Sequence, residues 1–260
     1  MTSIALSMTG ADLLKLRKKR STMIWALVLV LLPIVIFYTV NVVEHASNAS
    51  HEAAGGLGSF HDGVRLLGGV FFGPLVAILI GVEAGTTDSS DGVFRDLVVT
   101  GRSRLALFAT RVPAAVALCW TVITAAYLLI LVGTFAFASG LPTPSAALVV
   151  EGWGFVLLAT GVLCTVAVGF SSLINSKPGA IIALIAWQVI ASPLLSSISS
   201  LGSARNLVLT QALAHFGPAG IRDARGTEVV MAGGTALIVI VGWLVVFLGL
   251  GAWRTRTMDA

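Results

Sequence analysis

STMIWALVLVLLPIVIFYTVNVV, residues 21–43, runs the length of a membrane crossing without one Asp, Glu, Lys or Arg. An α-helix rises 1.5 Å per residue, so about 20 apolar residues cross a hydrocarbon core about 30 Å thick. Further runs free of those four residue types follow: Leu66–Val82, Val112–Val150, Gly152–Ser176, Pro178–Ala204 and Val229–Trp253. The third is too long for one crossing. It contains Ser139-Gly140-Leu141-Pro142-Thr143-Pro144, which is turn chemistry, so one helix ends near Ala138 and the next starts near Ser145, continuing past the lone Glu151. A second turn, Asn175-Ser176-Lys177-Pro178-Gly179, separates the next two. The expectation is an all-α integral membrane protein formed as a single domain over 1–260, with spans at about 21–43, 64–83, 107–138, 145–174, 178–199 and 229–253.

Composition supports this class. Of 260 residues, 57% are apolar and only 11% charged, with a mean hydropathy of +0.97. A soluble domain needs more charge than that to cover its surface. Cys119 and Cys164 lie inside apolar runs and read as small buried hydrophobes. The first apolar run is too long for a signal-peptide core, and no small-residue cleavage site follows it, so it reads as a retained span. Pro33, Pro74, Pro113 and Pro193 fall within spans, where neighbouring groups can satisfy the carbonyls they free. Paired glycines such as Gly68-Gly69 and Gly233-Gly234 read as sites of close helix packing.

Charge placement sets the expected orientation. Six spans put Lys15, Arg17, Lys18, Lys19, Arg20, Arg95, Arg102, Arg104, Arg111, Lys177, Arg254 and Arg256 on one side. Only Arg65, Arg205, Arg222 and Arg225 fall on the other. Basic residues stay cytoplasmic in short loops, so both termini are expected inside, in a cell (plasma) membrane. Trp25, Trp153 and Trp253 fall near span ends, as an interfacial belt would. Trp120, Trp187 and Trp243 sit deeper, where helix packing is the default.

Three segments outside the spans carry pattern. In residues 8–20, Leu13, Leu14 and Leu16 alternate with basic residues. An amphipathic helix on the inner leaflet, or a plain basic anchor, fits this; both would meet anionic lipid. On the outer side, 44–62 holds His45, His51 and His61 with Glu44 and Glu52, but at no familiar metal-ligand spacing, so a flexible polar loop is expected. Val208, Leu209, Ala212, Leu213 and Phe216 suit a short helix dipping into the outer interface.

The third segment is EAGTTDSSDGVFRDLVVTGRSR, residues 83–104. Asp88, Ser89, Ser90 and Asp91 are candidate N-caps. Val93, Phe94, Leu97 and Val98 share one helix face, while Asp91, Arg95 and Asp96 fall largely on the other. Gly101 can close the helix, with Arg102 and Arg104 at its C-terminal end. A short amphipathic helix is therefore expected between spans 2 and 3, lying on lipid or docked in a partner's groove.

Motifs for catalysis are missing. The sequence has no Gly-x-x-x-x-Gly-Lys-Ser/Thr, His-Glu-x-x-His, Gly-x-Ser-x-Gly or Cys-x-x-Cys. Glu83 and Glu151 are expected at span ends, which weakens a proton-coupled carrier or a channel, both of which need polar groups at depth. A membrane enzyme or an assembly protein is a further alternative.

The layout resembles the permease subunit of type-2 ABC exporters. The residues carrying the resemblance are Glu83, Asp88, Asp91-Gly92, Arg95, Leu97, Gly101, Arg102-Ser103-Arg104 and Arg111. Two positions depart from the common pattern: Gly101, where many members have Pro, and Arg111, where Lys is common. The resemblance implies a half-transporter in a bacterial membrane that binds no cofactor and no nucleic acid itself. It would pair with a second copy or a related permease. A soluble cytoplasmic subunit would use ATP and Mg. Residues 89–100 would be the coupling helix, with Asp91, Val93, Phe94, Arg95, Asp96, Leu97 and Val98 touching the ATPase subunit. Glu83, Gly92, Gly101, Arg102 and Arg104 would shape the loop and its turn. Cargo would pass along spans 2 and 5, here Leu66–Val82 and Pro178–Ser199. Their lack of charge suggests a hydrophobic or amphipathic cargo such as a drug, a peptide antibiotic or a lipid.

Overall fold

A computed structural model describes residues 2–48, 54–69, 71–90, 103–174, 176–218, 220 and 231–257. Among these residues the regular elements are helical and none is a strand. They are α1 (Thr2–Lys18), α2 (Arg20–Ser47), α3 (Gly56–Gly68), α4 (Phe72–Ser90), α5 (Arg104–Ala136), α6 (Ala146–Ile174), α7 (Lys177–Ser197), a 3-10 stretch (Ser199–Leu207), α8 (Leu209–Ala214) and α9 (Gly233–Thr257). Six segments among them are long and apolar enough to cross a membrane: α2, α3 with α4, α5, α6, α7 and α9. The chain has the build of a multi-pass membrane protein.

Two turns expected from sequence set helix ends. α5 stops at Ala136, and Ser139 and Gly140 follow with positive φ. Ser176 caps α7, its hydroxyl accepting from the Gly179 amide at 3.4 Å, with Pro178 in the first turn where its missing N–H is harmless. The span limits otherwise shift by a few residues, and the N-terminal helix covers Thr2–Lys18 rather than 8–20.

The second crossing differs from expectation. Instead of one helix over 64–83 there are two: α3 ends at Gly68 and α4 begins at Phe72. The stretch 44–62 is not a plain loop. His45 belongs to the last turn of α2, and His61 to α3; His51 lies outside the described residues. α3 forms because Phe60, Gly63, Val64 and Leu67 recur at helical spacing and are all buried. Asp62 and Arg65 pair at 2.6 Å on its exposed side. Its entry is held by two backbone bonds to the α5–α6 turn, Gly55 N to Phe137 O at 2.9 Å and Leu57 N to Pro142 O at 2.8 Å. Pro74 therefore lies in the first turn of α4, where a proline is readily accepted.

α6 is the hub. It packs most extensively on α4, then on α9 and α5. Backbones approach closely at glycines on these seams. A Cβ on Gly81 of α4 would lie 2.6 Å from the Cys164 carbonyl oxygen. One on Gly85 would lie 1.9 Å from Ser171 Oγ, and one on Gly169 of α6 would lie 2.4 Å from the Phe247 oxygen on α9. Small residues allow this approach where the hydrophobic effect gives helices no reason to associate. Trp120 bridges the α5–α6 seam, its indole donating to Leu157 O at 2.9 Å. α2, α7 and α9 form the rim, exposing side chains such as Ile36, Ile182 and Ile238. The short helix expected near Val208–Phe216 is α8, whose Leu209, Ala212 and Leu213 are buried, and which packs on α9.

Gly81→Ala and Gly169→Ala should each destabilise the bundle by about 1–3 kcal/mol through overpacking against backbone. Gly154→Ala, where the added carbon meets nothing within 4 Å, should cause no loss. Unfolding in mixed detergent micelles, followed by circular dichroism, checks all three.

Candidate functional site

Polar side chains gather at one end of the bundle, where α1 meets α2, α4 ends, and α5 and α7 begin. Glu83 sits within α4, five residues before Asp88, and is 0% exposed. It does not lie in a loop, nor at a solvated span end. Its carboxylate accepts from Lys19 Nζ at 3.0 Å, Lys177 Nζ at 2.6 Å and Thr22 Oγ1 at 2.7 Å. Thr87, one turn on, donates to the same carboxylate at 3.1 Å. One side chain thus ties together α2, α4, α7 and the α1–α2 junction.

Asp88 makes a second node. Although an N-cap candidate by sequence, it lies inside the last turns of α4 and is buried. Arg111 of α5, also buried, meets it at 2.8 Å, and Lys15 of α1 at 3.4 Å. Lys15 also reaches Asp12 at 3.3 Å, and Asp12 accepts from Thr110 of α5 at 2.8 Å. Within α1, Leu16 turns into the core while Leu14 stays exposed. Nearby, Arg104 donates to the Arg256 carbonyl at 3.3 Å, joining α5 to the end of α9.

The nodes differ in energetic weight. Lys15, Lys19 and Lys177 keep about a third or more of their side chains in solvent, so their pairs are partly screened. Arg111 and Asp88 are both buried, 6% and 7% exposed by side chain. Removing one member of such a pair leaves the other buried and uncompensated, at a cost of about 3–5 kcal/mol. Replacing both by apolar groups is often neutral.

Of the residues singled out in the sequence, the structure brings Glu83, Asp88, Arg104 and Arg111 to this end. Arg104 opens α5 rather than closing a preceding helix, and Ser103 caps α5 by accepting from the Ala106 amide at 3.1 Å. Asp91, Gly92, Val93, Phe94, Arg95, Asp96, Leu97, Val98, Gly101 and Arg102 lie outside the described residues. α4 ends at Ser90, two residues past Asp88, and α5 begins at Arg104, about two turns before Arg111. The α4 end of that connection therefore lies beside the ion-paired platform. Sequence reading missed the roles of Lys15, Lys19, Thr22 and Lys177. None of the four carries a local signal: Lys19 lies at the break between α1 and α2, and Thr22 and Lys177 are far from Glu83 in sequence.

No protein-family model matches this sequence, and no curated protein matches it.

Arg111→Met should destabilise the protein by about 3–5 kcal/mol. The double variant Arg111→Met/Asp88→Leu should recover most of that loss. A double-mutant cycle on unfolding in mixed micelles measures the coupling.

Proposed function

We propose that this chain is the membrane-spanning subunit of an ATP-binding-cassette exporter, moving a hydrophobic or amphipathic cargo out of the cytoplasm. ATP and Mg would be used by a separate soluble subunit, and a second copy or a related permease would complete the transporter. The observation that carries the reading is the ion-paired platform that joins α1, α2, α4, α5 and α7 near the end of α4. A partner docked on Val93, Phe94, Leu97 and Val98 would push on a connector whose ends are bonded to their neighbours. Asp88 reaches α1 and α5 through Lys15 and Arg111. Glu83 reaches α2 through Thr22 and α7 through Lys177. A displacement of the connector would therefore reach several helices at once. The lack of any phosphate-binding motif in the chain agrees with energy arriving from outside it. Under this reading the platform faces the cytoplasm and α1 lies along the inner leaflet.

A second reading, a carrier driven by an ion gradient, takes support from Glu83. The carboxylate is buried within the bundle, and buried ionisable groups mark proton paths in membrane carriers. Its two lysine partners argue against it, since they hold the carboxylate in place as an ion pair. Export that survives ATP depletion but collapses with the proton gradient would establish the carrier.

Phe94→Asp/Leu97→Asp should abolish copurification of the soluble ATPase from native cells while leaving membrane insertion unchanged. Undiminished copurification would overturn the docking assignment.

A further inference from the structure

A cavity of about 220 Å³ lies among α4, α6, α7, α8 and α9. Aromatic rings form much of its wall. Trp187 and Trp243 stand 5.5 Å apart between centroids, Trp243 stacks on Phe247 at 5.3 Å, and Phe170 meets Phe247 edge-on at 5.8 Å. Gln188, 2% exposed, is the one amide side chain in the lining. Ala183, Leu184, Trp187 and Gln188 face the cavity together at i, i+1, i+4 and i+5 of α7. From Trp187 to Ala191 the helix widens into a π-turn, the Ser192 amide donating five residues back to the Trp187 carbonyl. Pro193 accounts for the widening, since it has no N–H to give and its ring crowds the carbonyl four residues before it. Such turns recur at functional sites.

A second, more open hollow of about 490 Å³ lies on the far side of Trp243 and Phe247. Leu207, Ile238 and Val246 line it and are largely exposed, on the rim that faces hydrocarbon in a bilayer. The two hollows share Trp243 and Phe247 as a wall. Trp243 is anchored there, its indole donating to Leu207 O at 2.9 Å.

We infer that the inner cavity binds a planar apolar molecule of about two fused aromatic rings bearing one hydrogen-bonding group, loaded sideways from the bilayer past Trp243 and Phe247. Size, wall chemistry and position each contribute. A dry apolar cavity of about 150 Å³ holds benzene, so this one has room for a second ring. Ring walls favour an aromatic guest through offset and edge-on contacts, whereas an alkyl chain draws only dispersion from them. A single polar group in an apolar pocket fixes a guest's orientation. The site is formed within one chain, so it does not depend on how the protein is powered.

The test uses the purified full chain in phosphatidylcholine nanodiscs, without any ATPase, and the apolar photolabel 3-trifluoromethyl-3-phenyldiazirine. Adducts are mapped by peptide mass spectrometry. Labelling at Trp187, Gln188 and Phe247 should saturate and be suppressed by 1-naphthol but not by dodecane. Gln188→Leu should raise the naphthol midpoint about three- to tenfold, the size of one net hydrogen bond, and leave that of naphthalene unchanged. Ala183→Phe, which fills the cavity, should remove these adducts and spare those at Ile36 on α2. Labelling that never saturates, or equal protection by dodecane and naphthol, would overturn the proposal. That competition is read in the unmodified protein, so the decision does not rest on a variant folding.

Discussion

The burial of Glu83 dictates the arrangement at one end of this protein. A lone carboxylate taken out of water is prohibitively unfavourable, so cations and donors must be brought to it. They come from far along the chain: Lys19 from the junction before the first crossing, Thr22 from that crossing, Lys177 from the fifth. Five residues further along α4, Asp88 imposes the same demand and Arg111 meets it. The neighbours of α4 at that end are thus chosen by charge. Close backbone contact makes the rest of the selection. Gly81 and Gly85 let α4 settle onto α6, and Gly169 lets α6 settle onto α9. A hydrocarbon surround gives helices little reason to prefer one neighbour, and these two devices supply the preference.

The spans were legible because lipid demands long uncharged helices, and the chain meets that demand almost without interruption. The turns at Ser139-Gly140 and Ser176-Lys177-Pro178 were legible for local reasons, positive φ in one and capping in the other. Reading failed where a charge was taken to mark a span's end. His61, Asp62 and Arg65 hid α3, although Phe60, Gly63, Val64 and Leu67 already carried its helical period. Glu83 was misplaced for the same reason. Its place inside the bundle depends on Thr22 and Lys177, and no local pattern in one sequence pairs residues so far apart. The π-turn had a local cause in Pro193, but a proline alone does not tell a kink from a widened turn.

α7 is less firmly built than its neighbours. Its first turn is tethered to α4 by Lys177 and Glu83. Its last segment is tied to α8 by the bond between Ser192 and Thr210 at 2.6 Å. Between the two anchors the helix is interrupted by the turn at Trp187–Ala191. It also leaves Ile182, Ile190 and Leu194 exposed, so it gives up less packing when it moves than α4 or α6 would. α4 and α6, by contrast, are mostly buried and run without such an interruption. The aromatic cavity opens at that interruption, between Trp187 and Trp243. The π-turn and the cavity thus share Trp187 and Gln188, so the backbone that departs from regular α-helix is also the backbone that shapes the hollow.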